Sequence, residues 1–81
     1  MTRKTVHNER YKRLIAALKA GRLDAGITQA ELARILLRPQ SYVAKYERGE
    51  RRLDVVEFIE ISTAIRVDAA TLLSKVFSSR R

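Results

Sequence analysis

The chain of 81 residues has no cysteine, no tryptophan, one proline, three glycines and one histidine. Without cysteine there is no disulfide and no thiolate metal site. That composition fits a reducing compartment, and a cytoplasmic location is expected. His7 cannot hold a metal by itself, so neither a metal nor a cofactor is expected, and no nucleophile–base–acid set for catalysis is present. Gly21, Gly26 and Gly49 are too dispersed to form a phosphate-cradling loop. No apolar run approaches the ~20 residues a membrane-spanning helix needs. The N-terminus is charged but has no apolar core of a secretory signal. Aromatic residues make up only 6% of the chain, which leaves little for the stacking platform of a single-strand nucleic-acid binder. Acidic residues are also scarce, at 9 against 17 Lys and Arg, for a net charge of +8. A basic balance in one small domain favours a polyanionic partner.

The remaining composition, 46% hydrophobic, suffices for one core, and its period is helical throughout. The pattern divides the chain into a flexible basic arm at 1–7, a folded domain at 8–77 and a basic tail at 78–81. Asn8 is the expected N-cap of a first helix that runs to about Asp24, with Tyr11, Leu14, Ile15 and Leu18 inward. Gly21 lies inside that helix, where a close helix contact would account for it. Gly26 suits a left-handed terminus. Thr28 with Glu31 forms a capping box for a second helix, with Leu32, Ala33 and Leu36 buried. Pro39 suits the first position of a third helix, which Gly49 stops. Asp54 with Glu57 opens a fourth, with Val55, Phe58, Ile59, Ser62 and Ile65 inward. Asp68 opens a fifth, on which Leu72, Leu73, Val76 and Phe77 are apolar. The expected fold is a compact all-α domain of five helices.

At about 100° per residue, Gln40, Ala44, Arg48, Ser41 and Lys45 of the third helix fall within about 140° of one another. Tyr42, Val43 and Tyr46 fall on the other side. A polar face of this kind suits a helix laid in the DNA major groove: Gln can pair with adenine, Lys with guanine acceptors, and Ser is permissive. It equally suits an ordinary amphipathic surface helix. Glu57 and Glu60, three residues apart, have a spacing that a catalytic carboxylate pair could use, but a solvated helix face explains them better.

Residues 26–33 (Gly-Ile-Thr-Gln-Ala-Glu-Leu-Ala) and 39–54 (Pro-Gln-Ser-Tyr-Val-Ala-Lys-Tyr-Glu-Arg-Gly-Glu-Arg-Arg-Leu-Asp) change that balance. Over about residues 10–73 the chain resembles the lambda-repressor-like helix-turn-helix family, the phage repressor and Cro group. The resemblance implies a double-stranded DNA-binding transcriptional regulator, expected to be a repressor, with its helix-turn-helix at the second and third helices. It implies that Gln40, Ser41 and Lys45 face base edges. Gln29 would contact a phosphate and brace Gln40, Tyr42 would stand at the groove wall, and Arg48, Arg51 and Arg52 would neutralise phosphates. It also implies a structural salt bridge between Arg22 and Glu47.

The sequence departs from the family pattern at Leu37 and Arg66, where glycine is usual, and at Ile35, usually polar. A homodimer on a two-fold operator is expected, with Leu73, Val76 and Phe77 as its surface. The alternative function is an antitoxin-like or adaptor module that holds a toxin or another protein partner, for which Ile35 and Leu37 would supply an apolar patch.

Overall fold

The computed structural model describes residues 2–78, with side chains described from Glu9 onward. Its helices are α1 (Thr2–Asp24), α2 (Gln29–Leu36), α3 (Gln40–Glu47), α4 (Val55–Ala64) and α5 (Ala69–Ser78). The described residues contain no strand, so the all-α, five-helix expectation holds. α1 starts at Thr2, which makes Asn8 an interior residue and not an N-cap. Residues 2–7 hold no glycine or proline to stop a helix. Of the expected basic tail at 78–81, Ser78 closes α5 and 79–81 lie outside the described residues.

Local chemistry sets the helix starts. The Thr28 hydroxyl accepts from Glu31 N–H at 3.0 Å, while Glu31 Oε1 accepts from Thr28 N–H at 2.8 Å. Asp54 and Glu57 repeat this reciprocal box at 2.8 and 3.0 Å. Asp68 accepts from both the N–H and the hydroxyl of Thr71. Each arrangement satisfies donors that the first helical turn leaves without an internal partner. Pro39 stands one position earlier than expected, as the N-cap of α3 in extended backbone, with Gln40 the first helical residue.

The first four helices end alike. In each, one residue adopts a left-handed φ and donates back three residues, while the next residue donates back five, the double hydrogen bond of a Schellman motif. After α1 these bonds are Gly26 to Leu23 (3.0 Å) and Ile27 to Arg22 (3.1 Å). After α2 they are Leu37 to Arg34 (3.1 Å) and Arg38 to Ala33 (2.9 Å). After α3 they are Gly49 to Tyr46 (3.0 Å) and Glu50 to Lys45 (2.8 Å), and after α4, Arg66 to Thr63 (3.1 Å) and Val67 to Ser62 (2.9 Å). Two of the left-handed residues are glycines, and two are Leu37 at φ 59° and Arg66 at φ 63°. The turns therefore keep their geometry and accept the cost of a β-carbon at positive φ.

The core is built from Leu18, Leu32, Val43, Tyr46, Ile61 and Ile65, with Ile15, Phe58, Leu72 and Val76 around them. α2 packs chiefly on α3 and α4, and α1 on α5 and α3. A β-carbon on Gly21 would lie 2.9 Å from Ile65 Cδ1 and 3.2 Å from Val67 Cγ2, so the close helix contact is real. Two expectations for α4 fail: Val55 and Ile59 point outward, and Ile61 takes an inward place. Most of α4 is apolar, so the hydrophobic pattern alone does not select its buried stripe. Val76 likewise faces the core, while Leu73 and Phe77 are exposed.

One ion pair ties α1 to α3. Arg22 Nε donates to Glu47 Oε2 at 2.7 Å and its Nη2 to Oε1 at 3.0 Å. Its Nη1 caps the Ile27 carbonyl at 2.8 Å. The two side chains are only 7% and 3% exposed. Gln29 Nε2 adds a donor to Glu47 Oε1 at 2.9 Å. The first turn of α2 and the last turn of α3 are thus joined through the Glu47 carboxylate, which the Arg22 guanidinium holds. Beside them the Tyr46 hydroxyl is buried with no hydrogen-bond partner among the described residues. Burial, reinforced by the Glu47 carboxylate, pushes it far above the ordinary phenol range.

Two stability measurements test these assignments. Leu37 is 90% exposed, so Leu37→Gly loses no packing. It should raise unfolding free energy in urea by about 0.5–1 kcal/mol through relief of the left-handed strain; a lower midpoint would mean the turn is unstrained. Glu47→Ala strands a buried guanidinium and should cost about 3–5 kcal/mol. A loss below about 1 kcal/mol would place the pair among weak surface contacts.

Candidate nucleic-acid interface

α3 is eight residues long, too short to be stable by itself. Its orientation comes from what it buries. Tyr42, Val43 and Tyr46 form its inner face, and the two tyrosine rings meet edge to face at 5.7 Å. Gln40, Ser41, Lys45 and Arg48 are exposed, and Ala44 lies half-buried among them. The short alanine keeps the middle of this face low, so a base edge could approach the neighbouring polar groups. These are the groups the sequence places on one face.

The surrounding residues are more constrained than their sequence positions suggested. Gln29, at the start of α2, turns its amide nitrogen to Glu47 and so links into the Arg22–Glu47 pair. Arg48 forks onto Glu50 at 3.0 and 3.2 Å. Both partners are well exposed, and such a pair is weak and readily exchanged for a phosphate. Arg52 stacks over Tyr11 at 4.3 Å, and the Tyr11 hydroxyl accepts from the Leu53 N–H at 3.1 Å. The loop after α3 is therefore moored to α1.

Tyr42, expected at the groove wall, is 7% exposed and packs into the core. Its ring is a platform for two guanidiniums, Arg38 at 4.5 Å and Arg51 at 4.8 Å. Both cations converge on Glu57. Arg51 donates to it through Nη1 at 3.0 Å and Nη2 at 2.9 Å, and Arg38 Nη2 lies 3.6 Å away. The Arg51 fork, then the α4 cap and Arg38, hold the Glu57 carboxyl below the usual carboxylate range. Glu57 is thus a buried anion and not part of a solvated carboxylate pair with the exposed Glu60.

Sequence reasoning missed Arg38 altogether and saw Glu57 only as a capping residue. The cap was the available signal. The six-residue reach from Arg51 to Glu57 matches no helical or turn spacing, because it spans a loop.

Away from this face, Ile35, Leu36, Ile59 and Ala64 line an apolar groove between α2 and α4. Leu37 is exposed at the end of the same helix as Ile35. On α5, Phe77 carries the Arg10 guanidinium 5.4 Å from its ring centre. No described helix is long and apolar enough to cross a membrane.

Comparison with known proteins gives the arrangement a family. A family model described as Helix-turn-helix matches residues 18–72, which contain both capping boxes, the α2–α3 turn and the exposed face of α3. Among solved structures, an XRE-family like protein from Pseudomonas syringae pv. tomato str. DC3000 is 49% identical. It superposes with a TM-score of 0.95 and covers 99% of this chain and 98% of that one. No curated protein matches. With more than half of its length in the family model and a near-identical backbone in that relative, the chain belongs to the lambda-repressor-like, XRE-type helix-turn-helix family.

Proposed function

We propose that the chain is a sequence-specific transcriptional repressor that lays α3 in the major groove of double-stranded DNA. Membership of a helix-turn-helix family supports a DNA-binding transcription regulator. The observation that carries the finer reading is the division of α3. Gln40, Ser41 and Lys45 share an exposed face, while the opposite face is wholly committed to the core. A helix so anchored presents its polar groups in fixed register, as base readout needs.

In this reading Gln40 pairs with an adenine edge, Lys45 reaches guanine acceptors, and Ser41 tolerates several bases. Gln29, Arg48 and Arg52 contact phosphates, joined by Arg51 with whatever hydrogen-bonding capacity its fork to Glu57 leaves free. Tyr42 supports Arg51 from beneath. Phosphate contacts set affinity and register, and base contacts set sequence. The working compartment is the cytoplasm of a bacterium or a phage-infected cell.

A single domain covers little DNA, so a homodimer on a two-fold operator supplies the specificity. Leu73 and Phe77 form the exposed apolar stripe for it, with Val76 supporting from the core. A second reading, an antitoxin-like or adaptor module, is favoured by one observation, the exposed Ile35 and Leu37 beside the α2–α4 groove.

Selection of bound duplexes from a random pool at ~0.15 M salt, where weak surface attraction is screened, separates these readings. A two-fold motif with half-sites about one helical turn apart is expected; a folded protein that enriches nothing supports the interaction module. Gln40→Ala should relax recognition at one base pair by ~1–3 kcal/mol, and an unchanged preference would reject its role. Sedimentation of the free protein should give a dimer that Phe77→Glu dissociates. A monomer at every concentration would remove the stable dimer.

A further inference from the structure

The +8 charge of this chain poses a problem for a sequence-reading protein. Attraction between basic side chains and phosphates releases counterions from any duplex, whatever its sequence. Specificity is a difference of affinities, and it can be improved by lowering the wrong one. Against that background an anion buried behind the recognition helix has consequences beyond local structure.

Glu57 occupies the first turn of α4, and its side chain is 10% exposed. Both of its oxygens are engaged. Oε1 accepts from Asp54 N–H and from Arg51 Nη1, each at 3.0 Å. Oε2 accepts from Arg51 Nη2 at 2.9 Å and lies 3.6 Å from Arg38 Nη2. Arg51 also donates from Nη1 to the Arg52 carbonyl at 3.0 Å.

The two guanidiniums rest on Tyr42, whose sequence neighbour on α3 is Ser41 and which lies one turn from Lys45. The turn before α3 and the loop after it therefore meet on one carboxylate, with a ring of α3 beneath both guanidiniums. Two cations and one anion leave this cluster a single net positive charge. Arg51 turns two nitrogens onto the carboxylate, and 40% exposure leaves it at the surface but not at liberty; Arg38 is more loosely held, by the ring and a 3.6 Å ion pair.

We propose that Glu57 is a specificity-determining positioning residue, which holds Arg38 and Arg51 on Tyr42 and so restrains charge-driven binding to arbitrary duplex DNA. The proposal rests on the DNA-binding reading above. Glu57 touches no base or phosphate itself. It acts through the two arginines by fixing where their charge points and by cancelling half of it.

The test is the salt dependence of binding to random and to selected duplexes. Glu57→Gln removes the charge but keeps a residue type that serves the same place in a capping box. It should bind random duplex several-fold more tightly. It should also steepen the plot of log affinity against log salt by about 0.9, the increment for one more neutralised phosphate. The selected motif should stay the same, while the ratio of specific to random affinity falls. Arg51→Gln added to that variant should return the slope to its starting value.

A slope that is unchanged or shallower in folded Glu57→Gln overturns the proposal. Arg51→Gln alone is a second, independent check. It should lower the slope by clearly less than one increment, because Arg51 is already held; a full increment would mean that it is committed to phosphate and would overturn the proposal by itself. If the unaltered protein binds no duplex, the DNA-binding reading and this proposal fall together. If it binds and the slope does not move in Glu57→Gln, only the role of Glu57 falls.

Discussion

The bidentate contact between Arg22 and Glu47 is the interaction on which the rest of the arrangement depends. Glu47 ends α3, where a carboxylate opposes the helix dipole and would ordinarily weaken the last turn. Here it is nearly buried, and the guanidinium of α1 supplies both opposite charge and matched geometry. The same guanidinium satisfies the Ile27 carbonyl, and the same carboxylate takes the Gln29 amide. One pair therefore sets the distance from α1 to the far end of α3 and to the near end of α2. A buried ion pair is a poor source of net stability, since hydrophobic residues of similar shape can do as well. What such residues lack is direction. A fork that accepts one arrangement of two planar groups fixes the far end of α3, and so adds direction to the orientation set by its buried face.

The helix ends show a related economy of geometry over local preference. Four successive helices finish with the same pair of backbone hydrogen bonds, although only two have glycine in the left-handed position. The turn after α2 determines where α3 begins, and the turn after α4 brings Val67 against Gly21. Tertiary packing on both sides of these turns outweighs a strain of roughly 1–2 kcal/mol per residue. At Leu37 the side chain is left almost wholly in water, so its own burial contributes nothing to offset that strain.

These features mark how far the sequence could be read. Helix number, the capping boxes at Thr28 and Asp54 and the glycine stops were legible because each depends on residues within one turn of one another. The polar face of α3 was legible for the same reason. The pairing of Arg22 with Glu47, 25 residues apart, came from family resemblance and not from any spacing. Val55 and Ile59 were misassigned because α4 is mostly apolar, so its buried stripe is chosen by neighbours and not by period. Glu57 was legible as a cap and illegible as the centre of a charge cluster, since its partners come from two different loops. Asn8 was a good cap residue in a place where nothing required the helix to start.

α3 itself has little intrinsic stability at eight residues, and its placement is therefore a property of its surroundings. Val43 and Tyr46 fix its depth, Glu47 its far end, and Tyr42 with Arg38, Arg51 and Glu57 its flank. The residues that face outward, Gln40, Ser41 and Lys45, make none of these anchoring contacts. Separation of this kind lets the outward residues change without disturbing the frame. It also divides the charge: Lys45 projects from the exposed face, Arg22 is buried against Glu47, and the part-exposed Arg38 and Arg51 are paired with Glu57. A strongly basic chain thus keeps only part of its charge available to an arbitrary polyanion.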